Sequence, residues 1–158
     1  MRLLKIFCLM LVLCLLGGCG AQQEEQNLPQ TQMGNPWQSY ETLQEAQDAV
    51  GFSLGMAEDL DGWQAVEFRV MNDSLLELIC QKEGRAVRLR KAIGSEDISG
   101  DHNTYESVTL AEYPNASVTL RDNKGILVFT DEYSWSVYCE DGFAEGETEQ
   151  FLNAILQA

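Results

Sequence analysis

Ten residues in the middle of the chain, GSEDISGDHN at 94–103, carry the densest group of side chains that could bind or react. They include the acids Glu96, Asp97 and Asp101 and the chain's single histidine, His102. Carboxylates are the usual ligands of hard cations, and imidazole serves as a metal ligand or a general base. The segment therefore raises the question of a cation site, a catalytic site or a contact surface.

Oxygen-bearing side chains stand at alternate positions of this segment, as in the first half of a calcium loop: Asp97, Ser99, Asp101 and Asn103. The pattern then breaks, because His102 stands where the glycine of the sharp turn belongs, and Val108 where a bidentate glutamate belongs. An irregular calcium site, helped by Glu96 or Glu106, stays open as an alternative.

A simpler interpretation makes the same segment an architectural crossover loop. Gly94 and Gly100 can supply turns, and the loop acids can fold back onto the basic residues of the preceding strand-like run, VRLRKA: Arg88, Arg90 and Lys91. Its exposed side chains could still meet a partner, so we name the following as a candidate interaction loop: Glu96, Asp97, Asp101, His102 and Asn103.

Catalytic patterns are weak elsewhere. GFSLG at 51–55 matches the G-x-S-x-G signature of a nucleophile elbow around Ser53, but the elbow needs a strand before the serine and a helix after it, and here a helical segment precedes. A single histidine and the lack of C-x-x-C or H-x-x-x-H spacing argue against triad and zinc chemistry. We therefore expect no enzyme, no metal site and no cofactor.

The N-terminus has the form of a lipoprotein leader. Residues 1–18 combine a short basic start, an apolar run and two glycines, which predicts a signal peptide, and the run is shorter than the roughly 20 residues that cross a bilayer. Leu16-Gly-Gly-Cys19 resembles the bacterial lipobox. Cys19 is thus predicted to carry the acyl chains that anchor the protein to the extracytoplasmic face of the cell membrane.

The charge balance limits the class of partner. The chain has 25 acidic and 10 basic residues, a net charge of −15, and Arg2 and Lys5 leave with the leader. Nucleic acid and bare anionic lipid would be repelled. A cationic partner, a cell-wall polycation or a metal ion is permitted by this charge, and we expect the partner to be an unknown protein or a cell-wall ligand.

Two cysteines remain for the folded region, Cys80 and Cys139, since Cys8 and Cys14 leave with the leader. An extracytoplasmic location permits a disulfide between them. Two buried free thiols are the alternative, because both fall on the apolar positions of alternating runs.

The remaining chain divides into a tether and one domain. Residues 19–35 are rich in glutamine, without apolar periodicity, which predicts a lipidated flexible tether. Residues 36–158 have the length of a single domain.

Hydrophobic periodicity predicts an α+β fold. Thr42 and Glu45 form a capping box before the helix LQEAQDAV, and a second amphipathic helix is expected at 147–156. Between them, period-two runs separated by turn residues predict seven strands: QAVEFRVM, LLELICQ, AVRLRKA, ESVTLAEY, ASVTLRD, GILVFTD and SWSVYCE. The expected architecture is an antiparallel sheet of about seven strands with an N-terminal and a C-terminal helix packed on one face.

Several segments together resemble a family of uncharacterised clostridial, Gram-positive lipoproteins: Asn35-Pro36-Trp37, VGFSL, RKAIGSEDISGDHNTY, RDNKGILVFTDEYSWSV and the helix after EDGF. They are similar, more loosely, to the domain of unknown function on the extracytoplasmic side of some anti-sigma factors. In that pattern an aromatic commonly stands at the position of His102 and a tryptophan near Phe129, so this chain departs at both. The resemblance implies a curved sheet flanked by helices and supplies no activity, substrate or catalytic residue.

From the anchor, the tether and the lack of a catalytic constellation we expect a non-enzymatic binding or sensor module of unknown ligand. A cation-dependent cell-wall-associated factor is the alternative, and a hydrolase is a more distant one.

Overall fold

Residues 35–158 are described by the computed structural model, and the alternating segments among them form strands. The predicted leader, Cys19 and all but the last residue of the predicted tether lie outside the described residues. The strands are β1 (Trp37–Tyr40), β2 (Asp59–Leu60), β3 (Trp63–Met71), β4 (Leu75–Lys82), β5 (Arg85–Ile93), β6 (Val108–Tyr113), β7 (Ala116–Arg121), β8 (Gly125–Thr130) and β9 (Tyr133–Cys139). The two helices are α1 (Leu43–Val50) and α2 (Glu147–Leu156).

The fold is α+β, and the strands of residues 35–158 form one open sheet in which each pairing is antiparallel. Eight of them follow the order β1-β3-β4-β5-β9-β8-β7-β6, and β2 pairs with β3 beside that path. All seven predicted strands are present as β3 to β9. The predicted number is too low by two, because β1 and β2 are only four and two residues long and too short for an alternating pattern to stand out.

From β2 onward, consecutive strands pair as hairpins at every step except the one after β5. Strand β5 pairs with β9, whereas β6, the next strand in sequence, lies at the far edge of the sheet beyond β9, β8 and β7. Residues 94–107 make this connection. The one long loop of the sequence therefore exists because the chain must pass over three strands before it can pair again.

Both helices are where the sequence predicts them. In the capping box of α1, the Thr42 hydroxyl accepts a hydrogen bond from the Glu45 amide at 3.3 Å, and the Glu45 carboxylate accepts one from the Thr42 amide at 3.2 Å. Gly51 ends the helix in the left-handed conformation. The buried side chains of the helices are Leu43, Ala46 and Val50 in α1 and Glu147, Phe151, Leu152 and Ile155 in α2.

The two faces of the sheet are covered differently. We call helix-covered the face that carries Leu78, Leu89 and Val137, which stand side by side on β4, β5 and β9 and share one hydrophobic core with both helices. The opposite face carries Glu77, Arg90 and Ser136 in the neighbouring register, and we call it the loop-covered face. Adjacent residues of a strand point to opposite faces, so Arg90 and Lys91 are separated by the sheet.

One alternating run is interrupted. The register of β3 against β4 shifts between Ala65 and Glu67, so that Val66 is an extra residue and is 53% exposed. The sequence predicts Val66 on the buried side with Phe68 and Val70. The β-bulge overturns that prediction, because one added residue reverses the side to which the strand's earlier residues point.

Candidate functional site

The candidate interaction loop folds into a chain of three small turns. The Ser99 amide donates to Asp97 Oδ1 at 2.9 Å, the Asp101 amide to Ser99 Oγ at 3.2 Å, and the Asn103 amide to Asp101 Oδ1 at 2.9 Å. Each side chain thus accepts from the backbone two residues further along, as in Asx and Ser/Thr turns. These turns explain the alternate spacing of oxygen-bearing side chains that resembles a calcium loop.

Two arginines fasten this loop to the loop-covered face. Arg90 Nη1 donates to the carbonyl oxygens of Ile98 at 3.0 Å and Ser99 at 2.6 Å. Arg121, on β7, donates to Asp97 Oδ2 at 2.6 Å and to Ser99 Oγ at 3.3 Å. The expectation that loop acids pair with the basic residues of β5 is therefore wrong in detail, since Arg90 binds carbonyl oxygens and the partner of Asp97 comes from β7.

Arg90 also belongs to a buried ion cluster. Its Nε donates to Glu77 Oε2 at 2.7 Å, and Arg69 pairs with the other carboxylate oxygen of Glu77, which is fully buried. The Trp37 ring lies 5.3 Å from the guanidinium carbons of both arginines. A buried carboxylate is tolerated only when it is paired. The pair with Glu77 therefore holds Arg90 in the position from which it binds the carbonyl oxygens of the loop.

The remaining loop candidates are wholly or partly exposed to solvent. Glu96, His102 and Asn103 are exposed, and Asp101 is half-buried. Burial raises the pKa of Asp97, but hydrogen bonds from Ser99 and Arg121 outweigh it, so that pKa lies below its ordinary value. Within residues 35–158, no group of three or more His, Cys, Asp or Glu side chains is arranged to hold a metal ion.

Ser53 lies in the context that the sequence predicts, directly after a helix. Its hydroxyl donates to Gln47 Oε1 at 3.2 Å and accepts from the Gly55 amide at 3.1 Å. His102, the only imidazole, is on the loop at the other face of the sheet. Ser53 therefore lacks the neighbouring histidine of a Ser-His pair.

The possible disulfide between Cys80 and Cys139 is not formed, and both are buried free thiols, which is the alternative that the sequence left open. Val87 stands between them in the register, paired with Cys80 on one side and Cys139 on the other. Two strand spacings place their Cα atoms roughly 10 Å apart, beyond the reach of a disulfide. Burial raises the pKa of Cys80 to about 11 and also raises that of Cys139, which favours inert thiols.

The most unusual charged group is Lys91, on the helix-covered face, with 5% of its surface exposed. Its Nζ donates to the backbone carbonyl oxygens of Ser53 at 2.7 Å and Leu54 at 3.3 Å. Nζ also lies 4.2 Å from the ring centroid of Tyr133 and 4.4 Å from that of Trp135. The ammonium is therefore held by dipoles and aromatic faces.

The charge of Lys91 has no close negative partner. None of the ion pairs among residues 35–158 involves it. Burial lowers the pKa of Lys91, and the more distant Glu132 carboxylate opposes that shift. A desolvated ammonium without a carboxylate is costly to a fold, which makes this position a candidate for binding.

Lys91 lines a cleft of about 310 Å³ on the helix-covered face. The cleft lies between the end of α2 and the turn that joins β6 to β7. Its walls are mostly aromatic and aliphatic: Tyr113, Pro114, Ala116, Tyr133, Trp135, Ile155, Leu156 and Ala158, with Asn115 and Thr130 as polar members. An apolar cleft with few polar groups is the usual form of a small-molecule site.

The sequence did not predict this cleft. In the sequence Lys91 is the third basic residue at the end of a strand. All of its contacts described above come from residues that are 37 or more positions away in the chain. One signal was available: Lys91 has the same strand parity as Val87 and Leu89, which predicts a lysine pointing into the core.

A second charged cluster lies at the other end of β5. Arg85 donates two hydrogen bonds to Glu147, at 2.8 and 2.7 Å, and Lys82 Nζ lies 3.6 Å from the same carboxylate. The hydrogen bonds from Arg85, opposed by burial, lower the pKa of Glu147 to about 2. Arg85 also lies over the Trp63 ring at 5.0 Å. All charges here are paired, so the cluster serves to attach α2 to the sheet.

Comparison of the chain with family models, with curated proteins and with solved structures finds no match. No helix within the described residues is both long enough and apolar enough to cross a bilayer.

Proposed function

We propose that this protein is a membrane-anchored extracytoplasmic lipoprotein that acts as a non-enzymatic binding or sensor module, with its ligand site in the Lys91 cleft. The lipobox at Cys19, the glutamine-rich tether and the acidic domain support the location. The resemblance to clostridial lipoproteins supports the same class and a curved sheet with both helices on one face.

The buried, unpaired ammonium of Lys91 is the observation that carries the proposal. Charged groups in cores are normally paired, as Glu77 and Glu147 are here. A charge that is left without a counter-ion and lines an apolar cleft is better explained by a ligand than by stability.

The cation-dependent alternative has less support. Asp97, Ser99 and Asp101 already accept backbone hydrogen bonds, and Asp97 is also bound by Arg121. A calcium ion would have to replace these bonds. The loop is better explained as an architectural crossover whose exposed edge, at Glu96, His102 and Asn103, is free to meet a partner.

Photocrosslinking of the full-length protein in its own cells tests the ligand site. A benzophenone amino acid replaces Tyr113 at the cleft, and in a control it replaces Val66, which is exposed on the bulge of β3. We expect a small-molecule mass adduct at position 113 and none at 66. No adduct at 113, or equal adducts at both, would contradict the proposal. The same amino acid is also placed at His102, on the candidate interaction loop. A recurrent protein crosslinked there, without an adduct at position 113, would mean that the loop and not the cleft is the binding site.

Metabolic labelling with an alkyne fatty acid tests the location. The wild-type protein should carry label and sediment with membranes, and Cys19→Ala should lose both. Label that persists in Cys19→Ala would disprove the anchor while leaving the ligand site untouched.

A further inference from the structure

We infer that the ligand of the Lys91 cleft is a small organic monocarboxylate with an apolar aromatic or aliphatic body. This inference rests on the proposed binding function and narrows it to one chemical class.

The charge of the cleft determines the head group. Among the described residues that line the cleft, Lys91 has the only charged side chain. Ala158 also lines the cleft, and no ion pair joins its α-carboxylate to Lys91. The two carbonyl partners of Lys91 and the rings of Tyr133 and Trp135 stabilise the ammonium without neutralising it. A single carboxylate supplies a negative charge for Lys91 through a charge-assisted hydrogen bond, which is stronger than a hydrogen bond between neutral groups.

The walls determine the body of the ligand. Tyr133 and Trp135 flank the ammonium, and Ile155 and Leu156 of α2 close the other side. These surfaces favour a planar or branched hydrocarbon. A volume of about 310 Å³ is at the lower end for small-molecule pockets, so the body is one ring or a short chain.

The charge of the whole protein argues against more highly charged anions. With a net charge of −15, the domain repels any dianion that approaches, and the cleft has only one cation to compensate it. Apolar burial must therefore contribute much of the affinity, as it does for a monocarboxylate with a hydrocarbon body.

Three compounds of the same shape test the head group on the wild-type full-length protein: 3-phenylpropanoate, 3-phenylpropanol and 3-phenylpropylamine. Affinity is measured by calorimetry, and occupancy of the cleft by the NMR signal of the Trp135 indole. We expect the acid to bind roughly tenfold or more tightly than the alcohol, and the amine weakest. These three measurements do not depend on any variant.

Lys91→Met keeps the length and apolar stem of the side chain and removes its charge. We expect this variant to lose the preference for the acid and still bind the alcohol, because the walls are unchanged. Lys124→Met, which removes a lysine of the β7–β8 turn outside the cleft, should keep the preference.

The outcomes separate the two proposals. If the acid and the alcohol bind wild-type protein equally well, the monocarboxylate inference is wrong, while the cleft remains a binding site. If none of the three compounds binds, the monocarboxylate inference is wrong, and the adduct at position 113 decides by itself whether the cleft is a binding site. A preference for the acid that survives in Lys91→Met would place the head group elsewhere and overturn the inference.

Discussion

Arg90 occupies the space that a side chain at position 100 would need: a Cβ atom built on Gly100 would lie 2.6 Å from Arg90 Nη1. Gly100 also has a φ of +59°, which L side chains rarely adopt. The loop can therefore reach the buried ion cluster only with glycine at this position.

Gly100→Ala should destabilise the domain by about 1–3 kcal/mol, because the added methyl group must displace a buried guanidinium. Urea unfolding measures the loss. Gly84→Ala is the matched control, since Gly84 also has a positive φ but nothing lies within 4 Å of its added Cβ. Equal losses in the two variants would show that only backbone strain matters and that Arg90 can move away.

Glu77→Ala should cost about 3–5 kcal/mol, because it leaves Arg90 buried without its carboxylate. Glu67→Ala is its control: Glu67 also pairs with Arg69, at 3.6 Å, but its side chain is 42% exposed. That second change should cost about 1 kcal/mol or less. Guanidinium denaturation compares them, and a small loss for Glu77→Ala would mean that the cluster is not a stabilising anchor for the loop.

The Glu147 carboxylate should make the free energy of unfolding of the domain depend on pH. Its folded pKa of about 2 lies below the ordinary value of 4.5, so the carboxylate contributes stability above pH 4.5 that is lost as the pH falls through about 2. Glu147→Gln should lose up to about 3 kcal/mol at pH 7 and show a flatter decline below pH 4.5. Thermal unfolding between pH 2 and 7 measures both.

Glu149→Gln is the control for that experiment, because Glu149 lies in the same first turn of α2 but is exposed. It should keep the acid dependence of the wild-type protein. If Glu149→Gln flattens the decline as much as Glu147→Gln does, the effect comes from general charge and not from the Arg85 pair.

Cys80 and Cys139 should both be unreactive in the folded protein at pH 8, because burial raises the pKa of each thiol. A chromogenic thiol reagent should modify neither under native conditions and both in guanidinium. If neither Cys80 nor Cys139 reacts after unfolding without reductant, the two are bridged and the expectation of free thiols is wrong.

Local sequence patterns predicted correctly the elements whose conformation depends only on residues close together in the chain. The capping box at Thr42 and Glu45 predicts the start of α1, and the seven alternating runs predict β3 to β9, because periods of 3.6 and 2 are imposed by the backbone. The pattern failed at Val66, where a bulge depends on the pairing of β3 with β4.

The candidate interaction loop could be predicted only in part from the sequence. Its glycines and acids predict a loop of tight turns, because such turns form between residues two positions apart. Its partner Arg121 is 24 residues from Asp97 and could not be predicted, since the order of strands that brings β7 beneath the loop is set by long-range pairing.

The sequence by itself determined the class of elements, the acidic charge and the presence of a long crossover, because each is a property of composition or short spacing. On the same basis it predicts the lipobox and the tether. Only the tertiary structure decided that β5 pairs with β9, that Arg90 and Lys91 serve opposite faces, and that Lys91 lines a cleft with Tyr133, Trp135 and α2. The physical reason is that pairing and burial bring together residues far apart in the chain, and alternate side chains of one strand then meet entirely different surroundings.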